Sequence, residues 1–369
     1  MRSPVSKYLL SVIAIFAFSF VTPAQRTGPA VERRIDLLIG KMTLAEKLGQ
    51  LQQLDGEANG KYRPEHLEMA RKGLLGSTLN VRGALMTNEL QRAALESRLK
   101  IPMLFGFDVI HGYRTIFPVP LAESASWDLA LMEQSAAIAA AEARSAGVHW
   151  TFAPMVDIAR DPRWGRVIEG AGEDVFFGSL VSAARVRGFQ GTNYSANNRV
   201  MATAKHWVGY GAAEGGRDYG TTDLSERSLR ETYFPPFKAA VDAGVGSFMT
   251  SFNDLDGVPV TGNPFVLKKV LRDEWKFDGI VLSDYTAVTE LIFHGLASNE
   301  SEAAMYALNA GTDIEMVSRL YNKYGEDLVK EKKVPLANID NAVRHVLRIK
   351  FRLGLFDKPF ADESLEKRE

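Results

Sequence analysis

The sequence predicts an α/β fold, a TIM-like (β/α)8 barrel, on three observations. Short apolar segments alternate with amphipathic helices from Gly76 to Gly354, the alternation that builds a parallel sheet. The apolar segments are hydrophobic along their whole length, as strands covered on both faces are. Neither a G-x-G-x-x-G nor a G-x-x-x-x-G-K-[ST] loop occurs, so a doubly wound nucleotide-binding sheet has no support.

The elements follow in order. Val31–Leu51 has helical spacing, with Thr43 and Glu46 set as a capping box ahead of Leu48 and Leu51. Strands are expected at Gly76–Val81, Ile101–Phe107, Val148–Val156, Val200–Lys205, Ser247–Phe252, Gly279–Ser283 and Thr312–Met316, with one more of irregular character. Leu129–Ala146 follows Asp128 as N-cap and stops at Gly147. Pro264–Trp275 follows Asn263, with proline at the first helical position. Ala303–Ala310 stops at Gly311, and Ile339–Leu353 stops at Gly354.

Of 369 residues, 46% are hydrophobic and 24% charged, which is ordinary globular composition. A net charge of -1 with mixed signs gives no footprint for nucleic acid. The absence of cysteine excludes disulfides, zinc–thiolate sites, thiol nucleophiles and a lipoprotein anchor. At the N-terminus, Arg2 and Lys7 accompany the apolar stretch Tyr8–Val21, and Thr22-Pro23-Ala24 ends in a small residue. This is the pattern of a secretory signal peptide over residues 1–24. A membrane anchor is the competing reading, but the stretch is shorter than the ~20 apolar residues a spanning helix needs. The expected protein is periplasmic or secreted, with no stable membrane anchor after cleavage. A linker over 25–30 would lead into a barrel over 31–358.

Chemistry in a parallel barrel gathers at the C-terminal strand ends. The polar residues that directly follow the apolar runs are Asp108, His111, Asp157, Arg160, Lys205, His206, Asn253 and Asp284. Asp284 leaves so apolar a strand that its carboxylate must be bonded, paired or functional; an aspartate there can equally cap a helix. Lys205 can neutralise a carboxylate and donate to sugar hydroxyls, or it forms a structural ion pair. In the turn Asp161–Arg166, Arg166 could clamp hydroxyls and Trp164 could stack on a ring, or Trp164 simply packs. Glu169, Glu173 and Asp174 could pair with the two arginines of that turn. The loop Gly215–Gly220 holds Arg217, and its glycines permit close backbone approach. Glycoside hydrolysis needs two carboxyl roles, one attacking or guiding water and one protonating the leaving oxygen.

The segments Gly106–Gly112, Phe152–Arg166, Lys205-His206 and Ser283-Asp284-Tyr285, in this order and spacing, resemble glycoside hydrolase family 3 from about Val31 to Phe360. They look most like its periplasmic β-glucosidase branch, and Gly354-Leu355-Phe356 resembles the segment that ends that family's barrel. The resemblance implies a retaining, exo-acting enzyme that releases β-D-glucose from non-reducing ends, with Asp284 as the nucleophile. It implies that Asp108 holds the distal hydroxyls of the sugar. Arg166, Lys205 and His206 would bind hydroxyls in the same subsite, with Arg217 nearby and Tyr285 as a ring wall. No cofactor and no metal is implied.

Three departures from the family pattern stand out. Tyr285 replaces the tryptophan or histidine of many members, and Phe252 a tyrosine of some. The chain also reaches Glu369 without the α/β sandwich domain that supplies the acid/base glutamate in two-domain members. The loop after His206 lacks the Asp-Ser-His signature of single-domain N-acetylglucosaminidases. The expectation is a truncated two-domain enzyme, with residues 359–369 opening an interdomain linker and little activity on cellobiose, because a general acid is typically worth ~10²–10⁴-fold. A β-xylosidase, a non-catalytic sugar-binding barrel, and an aldolase using Lys205 as a Schiff base are the competing readings.

Overall fold

The computed structural model describes residues 27–368. The expected signal peptide over 1–24 lies outside the described residues.

Eight strands form one parallel sheet: β1 Gln52–Asp55, β2 Ser77–Leu79, β3 Leu104–Phe107, β4 Trp150–Thr151, β5 Thr203–Trp207, β6 Ser247–Thr250, β7 Ile280–Tyr285 and β8 Ile314–Met316. Their order is β4-β3-β2-β1-β8-β7-β6-β5. Chain neighbours are thus sheet neighbours, and β1 pairs with β8, as a TIM-like barrel requires. Between β4 and β5 only two single bridges, Trp150 to Met201 and Met155 to Lys205, span the seam. Pro154 lies in that seam and has no N–H to donate, although its carbonyl still accepts from the Lys205 amide at 3.1 Å.

The seven expected strands are all present; five are shortened, while those expected at Val200–Lys205 and Gly279–Ser283 start later and run two residues further, to Trp207 and Tyr285. Val148–Val156 contracts most, to Trp150–Thr151. The eighth is β1, which the expected helix Val31–Leu51 directly precedes. That helix is two, Pro29–Lys41 and Leu44–Gln50, broken where Thr43 starts a new N-terminus. The capping box is closed on both sides: Thr43 N–H donates to Glu46 Oε2 at 2.8 Å, and Glu46 N–H to Thr43 Oγ1 at 3.2 Å. Asp128 caps Leu129–Ser145 through the Leu131 amide at 2.9 Å. Gly311 ends Glu300–Ala310 at a φ of 104°, where a side chain would be strained.

The barrel interior is partly polar and fully bonded in places. The Trp150 indole N–H lies 2.8 Å from both Thr203 Oγ1 and Ser247 Oγ. At the N-terminal ends of the strands, Lys350 is wholly buried and donates to Gln50 Oε1 at 2.6 Å and the Gly76 carbonyl at 3.1 Å. Burial without a carboxylate partner pushes its amine down to about 7. Residues 359–366 lie on the helix Ala84–Glu96: Gln91 donates to the Pro359 carbonyl at 3.1 Å, and the Ala84 amide to Glu366 Oε2 at 2.8 Å. Among the described residues, no helix is long and apolar enough to cross a membrane.

Candidate active site

The C-terminal ends of β3, β5 and β7 bring Asp108, Lys205, His206 and Asp284 together. Lys205, with only 4% of its side chain exposed, donates to Asp108 Oδ1 at 3.0 Å. Asp108 itself stays open to solvent. Asp284 is the penultimate residue of β7, buried, with Oδ1 accepting the Tyr285 amide at 2.7 Å. Ser283 anchors the strand end from below: its hydroxyl donates to the Asp284 carbonyl at 2.9 Å and accepts the Met316 amide at 2.9 Å.

His206 is locked as a neutral ring. Its backbone N–H and its Nδ1 both lie 2.9 Å from Asp157 Oδ2. Arg166 Nη2 lies 3.1 Å from its Nε2. Since arginine only donates, Nε2 is the acceptor and Nδ1 carries the proton. Burial, then the charges of Arg166 and Lys205, hold the His206 pKa well below its usual value. Asp157 is pushed up to about 7 by burial, against the bond from His206. Arg166 is fixed in turn by Glu169, at 2.6 and 3.0 Å, the pairing expected from the sequence. Burial pulls its pKa down, but the bond and charge of Glu169 outweigh it, so the guanidinium stays charged.

The one lone pair of Nε2 is taken by Arg166, so the His206 ring has no proton to give Asp284. Nε2 and Asp284 Oδ2 are 3.5 Å apart, but neither bears a proton to share. Among the described residues no donor bonds Oδ2. One oxygen of Asp284 is held and the other is free. Burial raises the Asp284 pKa to about 6; the charges of Lys205 and Arg166 and the Tyr285 bond limit the rise, while Asp108 adds to it. At neutral pH the carboxylate is ionised in a dry, cationic setting.

Of the remaining site residues, Tyr285 stands 43% exposed at the rim. Arg217 lies on the exposed loop Gly215–Gly220, where its side chain has no hydrogen-bond or ion-pair partner among the described residues; the structure does not tie it to Asp284. Gly216 explains this loop's composition: its φ is 66°, and a Cβ there would sit 2.8 Å from the Trp164 nitrogen. Trp164 is buried and donates to Asp218 Oδ1 at 2.8 Å, so it packs and does not present a face to a ligand. Three further strand-end residues are structural. His111 bonds the Phe117 carbonyl at 2.9 Å, Asn253 donates to Thr222 Oγ1 at 2.9 Å, and Arg160 reaches the Tyr233 hydroxyl at 3.4 Å. Asp174 caps a helix through the Phe177 amide at 2.6 Å, and Arg163 pairs with Asp161 instead of Glu173.

Four residues at this end of the barrel were outside the predicted site. Asp157 was visible as a strand-end aspartate; only the fold shows that it holds His206. Tyr210 stands edge-on to the His206 ring at 5.2 Å. Glu290, half-buried one turn past the start of the helix Ala287–Phe293, is pushed up to about 7 by burial, with the charge of Asp284 adding to the rise. Asp55 ends β1, a strand whose polar sequence conceals it.

A parallel barrel that gathers a buried, cation-flanked carboxylate and a second, exposed one at its strand ends suits polar chemistry on that face. The comparisons with known proteins agree. The family described as glycosyl hydrolase family 3 N terminal domain matches residues 43–349, and the chain belongs to that family. It is 42% identical over 326 residues to a periplasmic beta-glucosidase of Salmonella typhimurium, covering 88% of this chain and 42% of that protein. It is 38% identical over 301 residues to a beta-xylosidase of Formosa agariphila, covering 76% of this chain and 41% of that protein. A solved beta-glucosidase from Listeria innocua in complex with glucose superposes with a TM-score of 0.86 at 39% identity, covering 91% of this chain and 49% of that one. The chain thus spans less than half the length of these relatives.

Proposed function

We propose that this barrel carries the sugar site and nucleophile of a retaining, exo-acting β-D-glucosidase. The observation that carries the reading is the asymmetry of Asp284: Oδ1 is bound by the Tyr285 amide, and Oδ2 is left without a donor. In the first step Oδ2 forms a bond to the anomeric carbon of the non-reducing sugar. The glycosidic bond breaks, and the leaving oxygen keeps its electron pair and takes a proton from the solvent. In the second step water attacks the same carbon and gives up a proton to the solvent, releasing the sugar and restoring the carboxylate. Asp108 and Lys205 supply an acceptor and a donor for hydroxyls of that sugar, and Arg166 fixes the ring of His206. Export to the periplasm or the medium agrees with the N-terminal pattern and with the description of the Salmonella relative.

A fluorosugar inactivator with a good leaving group isolates the first step, because such a group departs with little need for an acid. Peptide mass spectrometry should find the 2-deoxy-2-fluoroglucosyl label on Asp284. A label on any other residue overturns the assignment. A second reading, β-xylosidase, is favoured by the Formosa relative. Paired rates on aryl glucoside and aryl xyloside decide between them: faster reaction of the xyloside would replace glucose with xylose in the reading.

A further inference from the structure

Arg144 sits in the last turn of the helix Leu129–Ser145, which joins β3 to β4. An arginine in that position ordinarily bonds the free carbonyls of the helix end. Here they are already taken. The Glu142 carbonyl accepts the Ser145 hydroxyl at 2.7 Å, the Ala143 carbonyl the Val148 amide at 3.1 Å, and the Arg144 carbonyl the Gly147 amide at 3.0 Å. Among the described residues no carboxylate pairs with the Arg144 guanidinium, and its Nη1 is completely buried with no acceptor. Other deeply placed arginines differ: Arg185 pairs with Glu123, and Arg272 with Asp313 at 2.7 Å. Burial, with no opposing charge, pulls the Arg144 pKa down to about 10. An unpaired buried cation is costly, and a donor left in that state points to a partner from outside the chain.

The guanidinium lines a cavity of about 520 Å³ between the end of this helix and segment 353–365. Lys358 also lines it, and its amine has no ion-pair or hydrogen-bond partner among the described residues. The wall that carries Lys358 is fixed in place. Just beyond it, Asn88 donates to the Ala361 carbonyl at 3.0 Å and accepts the Ala361 amide at 2.9 Å. Two carboxylates share the lining. Asp362 Oδ1 is occupied by the Ser364 and Leu365 amides, at 2.9 and 3.3 Å. Asp357 is exposed, so solvent and salt screen its charge far more than they screen the buried Nη1 of Arg144. A guanidinium fork matches the oxygens of a carboxylate or phosphate, and a lysine adds a second point of charge.

We propose that Arg144 and Lys358 form a binding site for a small oxyanion, a phosphate or a carboxylate, which bridges the helix Leu129–Ser145 to segment 353–365. The site lies at the other end of the barrel from Asp284, because the helix of a βα unit runs back toward the N-terminal ends of the strands. It stands whether or not Asp284 is the nucleophile.

Thermal unfolding in potassium phosphate, potassium acetate and potassium chloride, at one pH and one ionic strength, tests the site. At about ten times its dissociation constant, the fitting anion should raise the midpoint by about 2 °C over chloride. A larger rise with phosphate assigns a phosphate ligand, and a larger rise with acetate a carboxylate. Arg144→Met should abolish the rise. In chloride alone this variant should melt no lower than the parent protein, since methionine removes an unpaired buried charge and still fills the space of the stem. Lys358→Met, at an exposed position, should weaken the anion about tenfold, the scale of one hydrogen bond to a charged group. It tests the site even where Arg144→Met fails to fold. A parent midpoint that neither anion moves beyond chloride overturns the site, as does a rise that Arg144→Met or Lys358→Met leaves unchanged.

Discussion

Two buried acids end neighbouring strands, and they are put to opposite uses. Asp284 is on β7 and Glu315 on β8, one residue before its end. Both are buried, and burial raises both pKa values, to about 6 and about 8 respectively. The two oxygens of Glu315 accept the Leu320 and Tyr321 amides at 2.8 and 2.7 Å, at the first turn of the helix Leu320–Lys330. It has no cation beside it, and both lone-pair sets are used. Asp284 has one amide on one oxygen, two cations in its field and a free second oxygen. Burial alone therefore does not mark a reactive carboxylate. What separates the two is a cationic field that keeps the acid ionised and an oxygen without a donor.

Replacement of the two acids should break this comparison most sharply. Asp284→Asn should slow glycosylation by the fluorosugar at least ~10⁴-fold, the usual scale for a lost nucleophile. Glu315→Gln should leave that rate within about threefold, since it touches no reacting group. A Glu315→Gln variant as slow as Asp284→Asn would show that the distinction is false.

The cationic field is tested next. Lys205→Met should lower the glycosylation rate ~10²–10³-fold, as removal of a preorganised electrostatic group does. It should also move the acid limb of the pH profile upward, because Lys205 is the largest of the influences that lower the Asp284 pKa. In the parent protein the rate should fall as pH drops through about 6, tenfold per unit well below it, as Oδ2 takes a proton. An acid limb that Lys205→Met leaves in place would remove the lysine from this role.

The sequence made much of this legible, for physical reasons that differ by residue. Asp284, Lys205, His206 and Asp108 follow apolar runs, and a parallel barrel puts such residues on one face. Strand β1 escaped because Gln52 and Gln53, though fully buried, are polar, so hydrophobic patterning does not show it. Asp55 was lost with it. The run Val148–Val156 stays apolar past Thr151, but Pro154 lies where β4 would continue, and an apolar reading does not register a missing N–H. Arg217 was placed near the subsite by the family resemblance; its loop turns on Gly216 against the Trp164 backbone, and its side chain is exposed. Glu290 carried no motif signal, and only the helix after β7 sets it in the field of Asp284.

The smallest effect concerns stability, and it sharpens the contrast from the structural side. The folded-state pKa of Glu315 is raised, from 4.5 to about 8. The folded state thus binds a proton that the unfolded state has released between those values. Its contribution to stability is complete below about 4.5 and is lost as pH rises toward 8, at up to ~1.4 kcal/mol per unit. Glutamine at this position keeps one carbonyl oxygen for one of the two amides and loses the other bond at every pH, and it has no proton to lose, so the pH dependence of the difference is the signal. Chemical denaturation of the parent and Glu315→Gln proteins at pH 5 and pH 8 should therefore give a stability difference that shifts in favour of the variant at the higher pH. Curves that stay parallel across that window would mean that Glu315 is ionised throughout, and that the two amides alone hold a buried anion as firmly as the cations hold Asp284.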